Sequence, residues 1–159
     1  MRVVFVLAAV TACTAEQPTL TDATHRLDAT CVGPNADQVI DFFPSSLANP
    51  MAALGAPDGS SVALGANGVL TVGFAGLGAI TDAPGNDLRI HATVPAGASA
   101  LVRVAGLDQQ FEYAGTLDAN TSEFDLGIAM LVTIQYVRLV DVSGAIQIDA
   151  FEAIHDHCP

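Results

Sequence analysis

The stretch Leu88-Arg89-Ile90-His91-Ala92-Thr93-Val94 decides the fold class. Its apolar residues Leu88, Ile90, Ala92 and Val94 fall on every second position, with Arg89, His91 and Thr93 between them. Successive side chains of a β-strand point to opposite faces, so this alternation reads as a strand with one face against a core. Leu70-Thr71-Val72-Gly73-Phe74 alternates in the same way. Working outward, further strands are expected at about 39–43, 61–64, 100–105, 110–114, 133–141 and 146–154. Segment 133–141 (TIQYVRLVD) is apolar on both faces and is expected to be a central strand, buried on both sides. Residues 45–54 and 122–129 each read as a short helical turn. The segments are separated by Gly33-Pro34-Asn35, Pro57-Asp58-Gly59, Asn67-Gly68 and Pro84-Gly85-Asn86. Such clusters form turns because Gly tolerates positive φ, Pro presets φ, and Asn and Asp bond their own backbone. About eight short strands with frequent turns indicate an all-β fold, an antiparallel β-sandwich or jelly roll.

Composition sets the material of the core and excludes partners. Hydrophobic residues make up 51% of the 159, enough for one core, yet there is no Trp and only 6% of residues are aromatic. The core must therefore be mostly Val, Ile, Leu and Ala. The formal net charge is −12, and every basic side chain is an Arg (Arg2, Arg26, Arg89, Arg103, Arg138). Nucleic acid needs clustered cations to neutralise its phosphates, so nucleic-acid binding is not expected. Such a surface favours cations instead.

Residues 1–12 read as a secretory signal. Arg2 is followed by the apolar run Val3 to Val10, which at about eight residues is too short to span a bilayer. Val10-Thr11-Ala12-Cys13 looks like a lipobox, which implies cleavage before Cys13, a diacylglycerol on its sulfur and attachment to a membrane through that lipid. Ordinary cleavage after Ala12 or Ala15, releasing a secreted protein, is the competing reading. Residues 13–30 are polar, small and Thr-rich, and read as a flexible tether ahead of a domain at 31–159. Three cysteines in an exported chain leave one to explain. With Cys13 lipidated or removed, Cys31 and Cys158 remain as a disulfide pair at the two ends of the domain. A loop of that length is stabilised by about 4–5 kcal/mol in the chain-entropy treatment. The competing reading gives Cys158 to a metal together with His155 and His157. His91 falls on the polar face of its strand, and His25 lies in the tether.

A family resemblance rests on motifs in a fixed order. These are Gly55-Ala56-Pro57-Asp58-Gly59, Ile80-Thr81-Asp82-Ala83-Pro84-Gly85-Asn86-Asp87-Leu88, Tyr136-Val137-Arg138-Leu139-Val140-Asp141 and Ile148-Asp149-Ala150-Phe151-Glu152-Ala153. Over about residues 38–154 the chain resembles bacterial cell-surface β-sandwich modules of the galactose-binding-like (discoidin-like, coagulation factor type C) fold. It departs from them at Ile90-His91-Ala92, where an acidic residue is usual, and at Val102 to Asp108. The resemblance implies a structural Ca²⁺ between an early loop and the last strand. Its ligands would come from Asp58, Asp87, Asp149 and Glu152, since Ca²⁺ takes six to eight oxygens from carboxylates and carbonyls. Asp149 and Glu152 fall on opposite faces at a period of two, so Glu152 with Asp58 is the favoured pair unless a bulge intervenes.

Arg138 stands in the most apolar strand and needs a carboxylate, an Asp such as Asp87 or Asp149; the alternative is that it reaches a ligand. No Gly-x-Ser-x-Gly, His-Glu-x-x-His or phosphate-binding Gly loop occurs, so no enzyme activity is expected and a hydrolase is the remote alternative. The expected function is a non-catalytic exported module of the bacterial outer membrane, cell surface or periplasm. It would act in adhesion or ligand binding, with an envelope protein or a glycan as partner; a carbohydrate-binding module is the alternative.

Overall fold

The computed structural model describes residues 34–44, 49–75, 80–129, 131 and 133–155. The expected signal and tether, Cys13, Cys31, His157 and Cys158 lie outside the described residues, as do 45–48 of the first expected helical turn.

Among the described residues the chain is all-β and antiparallel. Its strands are β1 (Gln38–Phe43), β2 (Val62–Leu64), β3 (Val69–Gly73), β4 (Ile80–Thr81), β5 (Leu88–Thr93), β6 (Ser99–Ala105), β7 (Glu112–Leu117), β8 (Glu123–Phe124), β9 (Thr133–Ile134), β10 (Tyr136–Ser143) and β11 (Ile146–Ala153). They form a five-stranded sheet in the order β1-β3-β10-β6-β7, a four-stranded sheet in the order β2-β11-β5-β8, and the pair β4-β9. Eight strands are three residues or longer. The other three, β4, β8 and β9, have two residues each, too few to display a period.

Both larger sheets feed one hydrophobic cluster. Leu70 and Val72 of β3, Val137 and Leu139 of β10 and Val102 and Val104 of β6 come from the first sheet. Leu88 and Ile90 of β5 and Ile146, Ile148 and Phe151 of β11 come from the second. Phe151 is the largest fully buried side chain, consistent with a core built from aliphatic residues. Each such side chain stabilises the fold by about 1.5–3 kcal/mol when fully buried.

Three sequence expectations change. Segment 133–141 is two strands, interrupted at Gln135, whose N–H donates to Ala105 and whose carbonyl accepts from Phe74. β10 does lie at the centre of its sheet, but Tyr136, Arg138 and Val140 on its outward face are only half-buried, because no layer covers that face among the described residues. The second expected helical turn shrinks to a 3-10 turn at Leu126–Ala129, because Glu123 and Phe124 are taken into β8 by pairing with Arg89 and Leu88. In the first, the described part is a 3-10 turn at Pro50–Ala53.

Candidate functional site

The loop Pro57-Asp58-Gly59 meets β11 at a bulge. Pairing with β5 shifts register between Ile148 and Ala150, which takes Asp149 out of the regular ladder. The Asp149 carboxylate accepts the N–H of Asp58 at 3.2 Å and of Gly59 at 3.1 Å, one on each oxygen. Gly59 has φ +84°, a conformation that glycine adopts without strain. The Asp58 carboxylate is occupied locally, accepting the N–H of Ser60 at 2.7 Å. The early loop and the last strand therefore meet through N–H donors on a carboxylate.

Glu152 sits elsewhere, on the outward face of the four-stranded sheet beside its Cα partner Arg89. It accepts from Arg89 Nη1 at 3.3 Å and lies 2.8 Å from His91 Nε2. Arg89 also binds Glu123, through Nε and Nη2, both at 2.8 Å. The Arg89 hydrogen bond, aided by one from Asn86 and by the Arg89 charge, holds the Glu123 carboxyl below its ordinary value. Glu123, and to a smaller extent Glu152, raises the Arg89 guanidinium in turn.

Asp87 belongs to a third group. It is fully buried, and each carboxylate oxygen accepts one backbone N–H at 2.8 Å, from Ala83 and from Leu126. It thus ties the turn after β4 to the chain leaving β8. The carboxylates of exposed Asp82 and Asp125 converge on it, with one oxygen from each of the three lying within 4.8 Å of the others. Gly127 stands against the group. A Cβ there would come within 3.1 Å of Asp82 Oδ1 and 3.2 Å of Asp125 Oδ1.

The implied Ca²⁺ can be tested against these three places. Asp149 accepts two backbone N–H groups, and Glu152 accepts from the Arg89 guanidinium and lies against His91 Nε2; nitrogen groups stand where a cation would need oxygen. The trio Asp82, Asp87 and Asp125 has the right chemistry. Ca²⁺–oxygen distances of about 2.3–2.6 Å allow ligands up to about 5 Å apart across the ion, and carboxylate oxygens carry two lone pairs, so Asp87 keeps acceptor capacity. Of the four acids chosen from sequence, Asp87 alone belongs to this group. The Asp82 to Asp87 spacing around Pro84-Gly85 was visible in the sequence, whereas Asp125 arrives only through the β5–β8 pairing.

Arg138 corrects another expectation. Its carboxylate neighbour is neither Asp87 nor Asp149, which lie beside and within the strands of the other sheet. Its Nε donates to the buried Thr71 hydroxyl at 2.8 Å, its guanidinium carbon lies 3.9 Å from the centre of the Phe111 ring, and Asp41 Oδ2 is 4.0 Å from Nη2. A cleft of about 150 Å³ lies between Ala92, Val94 and the 118–122 loop. Its Asp118 carboxylate already closes that loop by accepting the N–H groups of Asn120 and Thr121. His155 is half-buried at the end of β11.

No family model, no curated protein and no solved structure matches this chain.

Proposed function

We propose that the chain is a non-catalytic exported module of the bacterial envelope, a β-sandwich of the galactose-binding-like, jelly-roll kind, acting in ligand binding or adhesion. A structural Ca²⁺ held by Asp82, Asp87 and Asp125 clamps it. The carrying observation is the convergence of those three carboxylates on a glycine-lined position between two loops. The ion would supply electrostatic cross-linking. Asp87 anchors the group through its two backbone hydrogen bonds, while Asp82 and Asp125 bring the loop charges together. Melting the protein with and without EDTA tests this. Ca²⁺ at about a hundredfold excess over its Kd adds about 2.7 kcal/mol to the folded state. An unchanged melting curve would remove the calcium clamp.

The short apolar run and Val10-Thr11-Ala12-Cys13 support export with a lipid on Cys13, secretion being the alternative. Labelled palmitate should enter the chain and be absent from Cys13→Ala. Equal labelling of both would overturn the anchor. The carbohydrate-binding alternative is favoured by one observation: the outward face of the five-stranded sheet presents Tyr113 and Phe111 beside two arginines.

A further inference from the structure

One row of side chains crosses the outward face of the five-stranded sheet from edge to edge: Asp41 of β1, Thr71 of β3, Arg138 of β10, Arg103 of β6 and Tyr113 of β7. Each is the direct Cα partner of the next. At its centre two arginines stand opposite each other across the β10–β6 pair. Directly opposed residues have Cβ atoms about 4.5–5.5 Å apart, and like charges so placed are destabilising. The chain carries a net charge of −12 and has few cations, so this pairing is not a by-product of basic composition. Arg89, by contrast, is matched by Glu123 and Glu152. Among the described residues Arg103 has no carboxylate within ion-pair distance, and Arg138 has only the exposed Asp41 at its 4.0 Å limit.

Thr71 and Phe111 fix Arg138 from two sides, through the Nε hydrogen bond and the ring against its guanidinium. Tyr113, 49% exposed, lies next to Arg103 in the row, so the charged centre has an open aromatic ring beside it. We infer that this face binds an acidic polysaccharide through a hexuronate unit, its carboxylate between Arg103 and Arg138 and its pyranose face on Tyr113. A guanidinium fork matches a carboxylate in two parallel hydrogen bonds, and a sugar ring presents an apolar face to an aromatic one. A neutral sugar leaves the two charges opposed, and an acidic peptide leaves the ring uncovered. This inference rests on the carbohydrate-binding alternative.

The test is calorimetric titration of the full purified chain, in Ca²⁺, with three probes: an oligogalacturonate, a neutral galacto-oligosaccharide and a polyglutamate peptide. The oligogalacturonate should bind. Arg103→Gln should weaken it about tenfold or more, as should Tyr113→Ala, with melting temperature unchanged or raised in Arg103→Gln. No oligogalacturonate binding, or equal binding by wild type and Arg103→Gln, overturns the inference. Binding of the neutral sugar alone keeps the carbohydrate-binding alternative and overturns the uronate. Polyglutamate binding as tight as oligogalacturonate binding, and lost equally in Arg103→Gln, replaces the saccharide with an acidic protein segment and overturns the inference.

Discussion

At the scale of single residues, Asp87 and Asp149 perform the same operation at different cost. Both carboxylates accept two backbone N–H groups. Asp149, half-buried on β11, does so toward the exposed 57–59 loop, where water replaces lost bonds, so Asp149→Ala should cost only about 1 kcal/mol in urea denaturation. Asp87 is fully buried. Asp87→Asn is nearly isosteric, but its amide turns a donor toward one of the two N–H groups, and a loss of about 2–4 kcal/mol is expected. Glu123 makes a pH prediction. Its folded pKa lies below its unfolded value, so its contribution is fully present above about pH 4.3, the ordinary glutamate value, and is lost as pH falls through the folded pKa. Wild type and Glu123→Gln should therefore converge in melting temperature as pH falls through the lowered folded pKa, and separate above it. Parallel curves would contradict the pairing. The group is well exposed, so the separation is small.

At the scale of elements, the alternating segments were legible where a strand buries one face and opens the other. Leu88 and Ile90, buried, against Arg89 and His91, half-buried, display this in β5. What was hidden depends on register. The two-residue strands have no period, and the Asp149 bulge leaves no mark in composition. The opposition of Arg103 to Arg138 exists only once β6 is aligned on β10. The expected pairing of Arg138 with Asp87 or Asp149 failed because charge complementarity in a sequence does not say which sheet a strand joins. Gly115 tests the packing of β7 on β8. A Cβ there would meet the Phe124 ring at 2.7 Å, and that ring is buried and cannot swing away. Gly115→Ala should thus destabilise by about 1–3 kcal/mol, through overpacking.

Across the whole molecule, convergent carboxylates and unneutralised arginines lie in different places. Of the four acids chosen from sequence, Asp58 and Asp149 are engaged by backbone N–H donors, and Glu152 by Arg89 and His91. The convergent group lies at Asp82, Asp87 and Asp125, and the arginines not neutralised by close carboxylates stand on the outward face of the other sheet. The proposed calcium clamp in the loops at Asp82, Asp87 and Asp125 and the proposed ligand row on the five-stranded sheet share no residue, so each can be tested without the other. Isothermal titration of Ca²⁺ into the metal-stripped chain tests the clamp most directly. One saturable site per chain is expected, abolished by Asp82→Asn and retained in Asp58→Asn. Absence of binding heat, or a site lost in Asp58→Asn and kept in Asp82→Asn, would contradict it.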